Sequence, residues 1–381
     1  MYKFSCIFII FIYLLPFTMA INSIYFLEYF HVLIILSAFF LGGLLSKPFF
    51  KNCNPQDYKN LYVPKFNILI FVFVAYLCFR SITIIEVLSQ LYNGTYADWA
   101  LSNAIKRYDG IYDLGIVQKI GTVFFITYAF LLGAYGARKN YLYLSLAFLF
   151  MIFIELSGLA RAGALLATTA LCVEMVIRFN VKLNCMKFGS YFKYGFLCIG
   201  VLILIFLFGA YFRVAGKENI LLTLIDKFYV YTIAMYQALF IWMGSENSYL
   251  TTYGFNTFTS IFKLIGDTSS QGFYLPVHTQ FGWTNIYTNI RGLLSDFGII
   301  ITILFYMTFG FLLRLYSFSK LTPMSYFFVR IILFFIIFIL YSPFLFFTVF
   351  LSIIFSYLLI IIFMEENVLL HRRELRNERP H

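Results

Sequence analysis

The chain has 381 residues, of which 62% are hydrophobic, 22% aromatic and only 12% charged. This composition excludes a soluble globular domain and indicates a protein that crosses the membrane several times. The net charge of +11 would suit a nucleic-acid partner in a soluble protein. Here the basic residues concentrate in alternate loops, so orientation in the bilayer explains the charge better. We therefore expect a lipid bilayer, and no nucleic acid, as partner.

Apolar runs of about 17 to 25 residues predict about ten transmembrane helices. The first run, 4–21, also resembles a signal peptide, because Lys3 precedes it and small residues stand near its end. The other runs are 28–46, 66–89, 118–135, 141–157, 160–178, 193–213, 291–313, 327–343 and 344–364. The predicted fold is an all-α polytopic membrane protein, with 1–381 as a single integral membrane domain.

Lysine and arginine residues predict the orientation of these helices. If the spans alternate, every strongly basic loop falls on one side of the membrane. By the positive-inside rule that side is the cytoplasm, and both termini lie there. The basic segments are 47–65, 138–139, 178–193, 314–320 and the tail 365–381.

Two extracytoplasmic loops, 90–117 and 214–290, are long enough to hold structure of their own. The larger one contains an apolar segment from Asn219 to Met243. A full span there would place the basic tail outside, against the charge rule. We therefore predict that this segment is an interfacial or re-entrant helix.

Arginines near the outer ends of predicted spans are the first candidate binding groups: Arg80, Arg161, Arg213 and Arg291. Charged side chains at spans are costly, so each needs a reason. Guanidinium groups at one depth suit a diphosphate, because the planar fork pairs with phosphate oxygens and stays charged. The alternative for each arginine is that it reaches the interface or pairs with a nearby acid, for example Arg80 with Glu86.

The stretch from Gly282 to Gly310 changes from a polar, aromatic loop to an unbroken apolar run. Asp296 is predicted to face the bundle or a cavity, although the dipole at a helix start would also favour an acid there. Asn285 and Thr288 are predicted to cap the helix or to contact sugar hydroxyls. Trp283 and Tyr287 suit stacking on sugar rings, and they equally suit a membrane interface.

Candidates for a general base are the acids and the histidine on the extracytoplasmic side: Glu246, Asp267, His278 and Asp296. A histidine titrates near neutrality, which suits such a role, although a lone loop histidine is often incidental. The chain has no phosphate-binding glycine loop and no HExxH, and its extracytoplasmic loops have no Asp-x-Asp pair. We therefore expect neither a cofactor nor a metal ion, and arginine takes the electrostatic role that a cation often has.

Two motifs give the chain a family resemblance between Glu155 and Gly310. They are SGLARAG around Arg161 and TNIYTNIRGLLSDFG, which ends in Asp-Phe-Gly at 296–298. With the long loop before the second motif, the chain resembles the bacterial O-antigen polymerase (Wzy-type) and oligosaccharide repeat-unit polymerase family. Ala160 stands where that family often has serine.

The resemblance implies a GT-C-like helical bundle in the bacterial inner membrane, with a metal-independent glycosyltransferase site facing the periplasm. The enzyme would transfer a growing glycan from undecaprenyl diphosphate to the sugar terminus of a newly flipped, lipid-linked repeat unit. Arg161 and Arg213, with Arg80 or Arg291, would hold the diphosphate, and Asp296, Glu246 or His278 would act on the acceptor hydroxyl. A chain-length regulator and a flippase of the same pathway are the expected protein partners.

Two other functions fit the same sequence. An O-antigen ligase shares this kind of architecture and donor but delivers glycan to lipid A-core, and a histidine in the large loop is typical of ligases. A lipid-oligosaccharide flippase would place polar groups near the midplane, often on broken helices in repeated halves. The chain shows no matched halves, which favours the polymerase over the transporter.

Overall fold

The structure, a computed structural model, describes residues 2–10, 26–46, 48, 63–96, 98–99, 102, 116–136, 140–157, 161–183, 200, 220–245, 257, 277–280, 282–284, 288–318, 322–338 and 347–363. Helices make up most of this part of the chain. They are α1 (Tyr2–Ile9), α2 (Phe26–Leu45), α3 (Phe66–Tyr92), α4 (Ile116–Tyr135), α5 (Tyr141–Ser157), α6 (Arg161–Leu183), α7 (Ile220–Thr232), α8 (Ala234–Met243), α9 (Asn289–Phe318), α10 (Pro323–Ile337) and α11 (Phe347–Ile362). Strands β1 (Val277–Thr279) and β2 (Gly282–Thr284) form an antiparallel hairpin.

Among the described helices, α2, α3, α4 and α9 are long and apolar enough to cross a membrane. α5, α10 and α11 are shorter apolar helices. The prediction of an all-α membrane protein is confirmed at this level. About ten spans and a GT-C-like arrangement stay predictions, because most of the runs 4–21 and 193–213 lies outside the described residues.

Local sequence accounts for where helix α10 begins. The Thr322 hydroxyl accepts a hydrogen bond from the Ser325 amide at 3.2 Å, and Pro323 occupies the first helical position. This cap supplies a hydrogen-bond partner for one amide that the helix itself cannot satisfy. Proline at the first helical position costs no intrahelical hydrogen bond, because an amide there would have no partner in the helix. The helix therefore begins at Pro323 rather than at 327.

Helices α2 and α9 pack along each other over most of their length. At their crossing, a side-chain carbon on Gly42 would overlap the carbonyl of Met307, and one on Gly310 would overlap the carbonyl of Phe39. The two backbones therefore touch, which only glycine allows. The Arg314 guanidinium donates to the Gly43 carbonyl at 2.9 Å, so the C-terminal ends of these parallel helices lie together.

Helix α4 is the centre of the second group of helices. It packs against α3, α5, α6 and α11, and all of its residues from Phe125 to Tyr135 are buried. Helix α10 contacts α6 and α11 on this side and α1 and α9 on the other. It therefore joins the two groups of helices.

Helix ends that adjoin basic loops lie beside one another. The Lys65 amide, before α3, donates to the Phe363 carbonyl, after α11, at 3.0 Å. Arg178 of α6 lies beside Gly136, which follows α4. Each contact joins segments that the charge pattern assigns to the same side of the membrane, which agrees with alternating spans, and that alternation stays a prediction. That this side is the cytoplasm stays a prediction.

The long loop 214–290 contains α7, α8 and the hairpin among its described residues. The apolar segment predicted as one helix is two helices, with Ile233 between them. α8 has 10 residues, so it is about 15 Å long and too short to cross a bilayer by itself. It is buried against both strands and α2. Its position in the membrane interface stays a prediction.

Candidate functional site

Helix α9 is divided by a kink at Gly298. This glycine has φ 70° and ψ −179°, a conformation that is essentially confined to glycine. The Thr302 hydroxyl donates to the Gly298 carbonyl at 2.7 Å, which satisfies a carbonyl at the break. The short segment before the kink carries Arg291 and Asp296, and the segment after it is the apolar part of the predicted span. The charged groups therefore stand apart from the lipid-spanning length of the helix.

Asn289 fixes the start of α9 to α10. Its amide nitrogen donates to the Phe335 carbonyl at 2.6 Å, and the Tyr306 hydroxyl donates to its amide oxygen at 3.4 Å. Asn289 has no exposed surface, and neither has the neighbouring Thr288. Thr288, predicted to cap this helix or to contact a sugar, thus lies inside the protein in this structure.

Arg291 lies against the last turn of α8. The centre of its guanidinium group is 5.0 Å from the centroid of the Trp242 ring, which is within the range of a cation–π interaction. Arg291 is 9% exposed. The cation is therefore desolvated by an aromatic face of the long loop, where its attraction to an anion is stronger than in water.

Asp296 is held by another part of the same loop. Its carboxylate oxygen Oδ2 accepts the Thr257 amide at 2.5 Å, and the residue is 1% exposed. A charged acceptor makes such a bond shorter and stronger than a neutral one. Arg291 and Asp296 thus both contact the loop 214–290, which covers the start of α9.

The hairpin β1–β2 completes this cover. It packs on α8, and the Gln280 amide donates to the side-chain oxygen of Gln237 on α8 at 3.2 Å. Thr279 and Thr284 are buried, whereas His278 is exposed. In the ladder His278 pairs with Trp283. The hairpin thus turns its threonines inward and His278 outward.

Arg80 of α3 lies in a buried ion pair with a residue of α5. Its Nε is 2.7 Å from Glu155 Oε1, and its Nη2 donates to Glu155 Oε2 at 2.8 Å. The same Nη2 donates to the Thr122 hydroxyl at 2.8 Å, and the Tyr76 hydroxyl donates to Glu155 Oε1 at 3.3 Å. The partner of Arg80 is Glu155, from another helix, and not Glu86. A diphosphate would have to compete with this bidentate pair.

A second buried ion pair lies among α6, α10 and α11, and the sequence analysis did not single it out. Arg330 Nε is 2.5 Å from Glu174 Oε1, and neither side chain is more than 1% exposed. The Tyr326 hydroxyl donates to Glu174 Oε2 at 2.7 Å, and Arg330 donates to the Ser356 hydroxyl at 2.9 Å. The signal was present, because each charge interrupts a predicted span.

Several predicted site residues cannot be placed. Arg213, Glu246, Asn285 and Tyr287 lie outside the described residues, and so does Asp267. Arg161 is the first residue of α6 and Trp283 belongs to β2, but only their backbones are described. In the structure Arg291 and Asp296 both contact the long loop, whereas Arg80 lies elsewhere, in its ion pair with Glu155.

The described residues contain no group of three or more histidine, cysteine, aspartate or glutamate side chains that could hold a metal ion. Metal independence stays a prediction. No protein-family model matches this chain, and no match was found among curated proteins or solved structures.

Proposed function

We propose that this protein is a membrane glycosyltransferase that polymerises undecaprenyl-diphosphate-linked oligosaccharide repeat units into O-antigen or a related surface polysaccharide. The observation that carries the proposal is the start of α9. There Arg291 contacts Trp242 and Asp296 accepts the Thr257 amide, and both are buried at the start of a helix that is apolar enough to cross a membrane. A lipid-linked polar substrate needs both parts of this arrangement.

Arg291 would bind the donor diphosphate and stabilise the charge that develops on the leaving group. Removing one donor from such a preorganised site typically costs a factor of about 100 to 1,000 in rate. Arg161 and Arg213 remain the further predicted ligands. Arg80 would bind the diphosphate only if its ion pair with Glu155 broke, because Glu155 already neutralises the charge of Arg80 in a bidentate pair.

The first test is genetic. Arg161→Ala should leave a cell with single-repeat surface glycan and normal amounts of the protein, because the donor diphosphate is no longer held. Lys65→Gln is the control, since it removes an exposed positive charge that adjoins the end of α11 rather than the start of α9. Full-length polymer from the Arg161 variant would remove this residue from the mechanism.

The second test is biochemical and separates polymerase from ligase. The purified protein in liposomes receives lipid-linked repeat units extracted from cells that lack it, with no lipid A-core present. A polymerase makes longer chains from these units alone. A ligase does not, because its acceptor is missing.

A lipid-oligosaccharide flippase is the second candidate, and one observation favours it. The Glu174–Arg330 pair lies well inside the helix bundle, where transporters place polar groups. The same liposomes distinguish the two functions. Movement of lipid-linked sugar across the bilayer without chain growth would favour the flippase and count against the polymerase.

A further inference from the structure

Glu28, in the first turn of α2, lies near the same turn of α8 as Arg291. A side-chain carbon on Gly244, the residue that caps α8, would be 3.3 Å from the Glu28 carboxylate oxygen Oε1. Trp242, two residues earlier, lies beneath the Arg291 guanidinium. Since α2 and α9 run parallel, their first turns bring a carboxylate and a guanidinium to the end of one short helix.

The Glu28 carboxylate can accept a further hydrogen bond. Its oxygen Oε2 is buried and has no hydrogen-bond partner among the described residues, and the same holds for Nδ1 of His31. His31 follows three residues later, so both side chains lie on one face of α2. The helix dipole favours an acid in the first turn, but it does not account for a buried oxygen without a donor.

The turn around Gly244 is partly open to solvent. Gly244 and Ser245 are exposed, and Glu28 itself is only partly buried. Asp296 differs in both respects, because it is 1% exposed and one of its oxygens accepts the Thr257 amide. His278 is exposed on the hairpin. Glu28 therefore combines partial exposure, a carboxylate oxygen with no hydrogen-bond donor among the described residues, and proximity to the α8 turn against which Arg291 lies.

We propose that Glu28 is the general base of the reaction. The inference rests on the proposed glycosyl transfer. The carboxylate takes the proton from the acceptor hydroxyl as that oxygen bonds to the anomeric carbon of the donor. The bond from that carbon to the diphosphate oxygen breaks, and the diphosphate leaves with the electron pair and is stabilised by Arg291. Glu28 then releases its proton to water.

The experiment measures chain growth against pH in liposomes, with lipid-linked repeat units extracted from cells that lack the protein. Wild type should slow at acid pH, because a general base must be unprotonated to accept the hydroxyl proton. Glu28→Gln should be about 100-fold slower at neutral pH, in line with loss of a general base, and should lack the acid limb. Its KM for the extracted lipid should stay unchanged, and Glu28→Asp should recover part of the rate.

Two matched variants accompany it. Glu86→Gln makes the same change at an exposed acid on α3 and should behave as wild type. Gly244→Ala should slow growth several-fold while keeping the acid limb, because its methyl group crowds the carboxylate without removing it. Equal thermal unfolding midpoints for all variants would show that they fold alike.

The outcomes are separable. If wild type makes polymer and Glu28→Gln stays within threefold of it, or is slow but keeps the acid limb, Glu28 is not the base and the proposed function stands. If wild type makes no polymer from these lipids, the proposed function and this inference fall together.

Discussion

The charged groups inside the bundle and those at the start of α9 are held in different ways. Arg80 pairs with Glu155 and Arg330 with Glu174, so each of these positive charges is matched by a carboxylate from another helix. Arg291 and Asp296 make contacts with Trp242 and Thr257 of the long loop. The first arrangement fixes helix to helix. The second ties a loop to a helix, which suits a site that must admit a substrate.

The largest expected effect tests the bundle side of this comparison. Arg330→Met leaves Glu174 buried without its cation and should lower the free energy of unfolding by about 3–5 kcal/mol. Denaturant titration in detergent measures it. The double variant Arg330→Met with Glu174→Gln removes both charges and should recover most of the loss. A single variant as stable as wild type would show that the pair is not needed to hold α6 to α10.

Arg291→Gln tests the site side and should give the opposite result. Chain growth should fall about 100-fold, because the diphosphate loses a desolvated cation. The free energy of unfolding should fall by about 2 kcal/mol, the worth of a desolvated cation–π contact and less than the loss expected for Arg330→Met. Arg291→Lys should restore only part of the rate, since lysine keeps the charge but not the fork. If Arg291→Gln and Arg330→Met lowered the free energy of unfolding equally, the charges at the start of α9 would be as important for stability as those inside the bundle.

Asp296→Asn should loosen the loop rather than the bundle. The Thr257 amide would then donate to a neutral acceptor, at a cost of about 1–2 kcal/mol. Hydrogen exchange at this amide should speed up about tenfold, while the amides of α4 stay protected. Ser295→Ala is the control, because the Ser295 hydroxyl donates to the Gly292 carbonyl within the helix. Unchanged exchange at Thr257 would show that the carboxylate does not hold the loop.

Substitutions at two glycines of α4 should have the smallest effects. Their relative cost shows how tightly α4 packs against each of the two ion pairs. A side-chain carbon at Gly133 would be 2.5 Å from Glu174 Cβ, whereas one at Gly121 would be 3.1 Å from flexible carbons of Arg80. Gly133→Ala should therefore destabilise by about 1–3 kcal/mol. Gly121→Ala should be nearly neutral, since alanine's better helix propensity, about 1 kcal/mol, offsets the crowding. Thermal unfolding of both proteins side by side checks the order.

The sequence predicted well the bounds of those helices whose length depends on the thickness of the bilayer. Bilayer thickness sets the length of an apolar run, so the runs at 28–46, 66–89 and 118–135 coincide closely with α2, α3 and α4. The segment 219–243 was harder, because nothing in its apolar pattern indicates the turn at Ile233.

The partners of the charged residues were harder still to predict. Glu155 is 75 positions from Arg80 and Glu174 is far from Arg330 in sequence, and pairing across that distance depends on which helices pack together. From the sequence alone, only the free-energy cost of burying each charge could be predicted. The Gly298 kink was likewise hidden, since a glycine near the start of a run is compatible with an unbroken helix. Nothing described here tests the predicted roles of Arg161, Arg213 and Glu246.

The contact between the backbones of α2 and α9 limits how this protein can move. At Gly42 and Gly310 no side chains separate the two helices, so neither can slide along the other without a collision of main-chain atoms. A rocking motion of the kind transporters use would have to leave this pair intact as a static unit. Any wider opening at the start of α9 would then come from movement of helix α8 and the hairpin β1–β2.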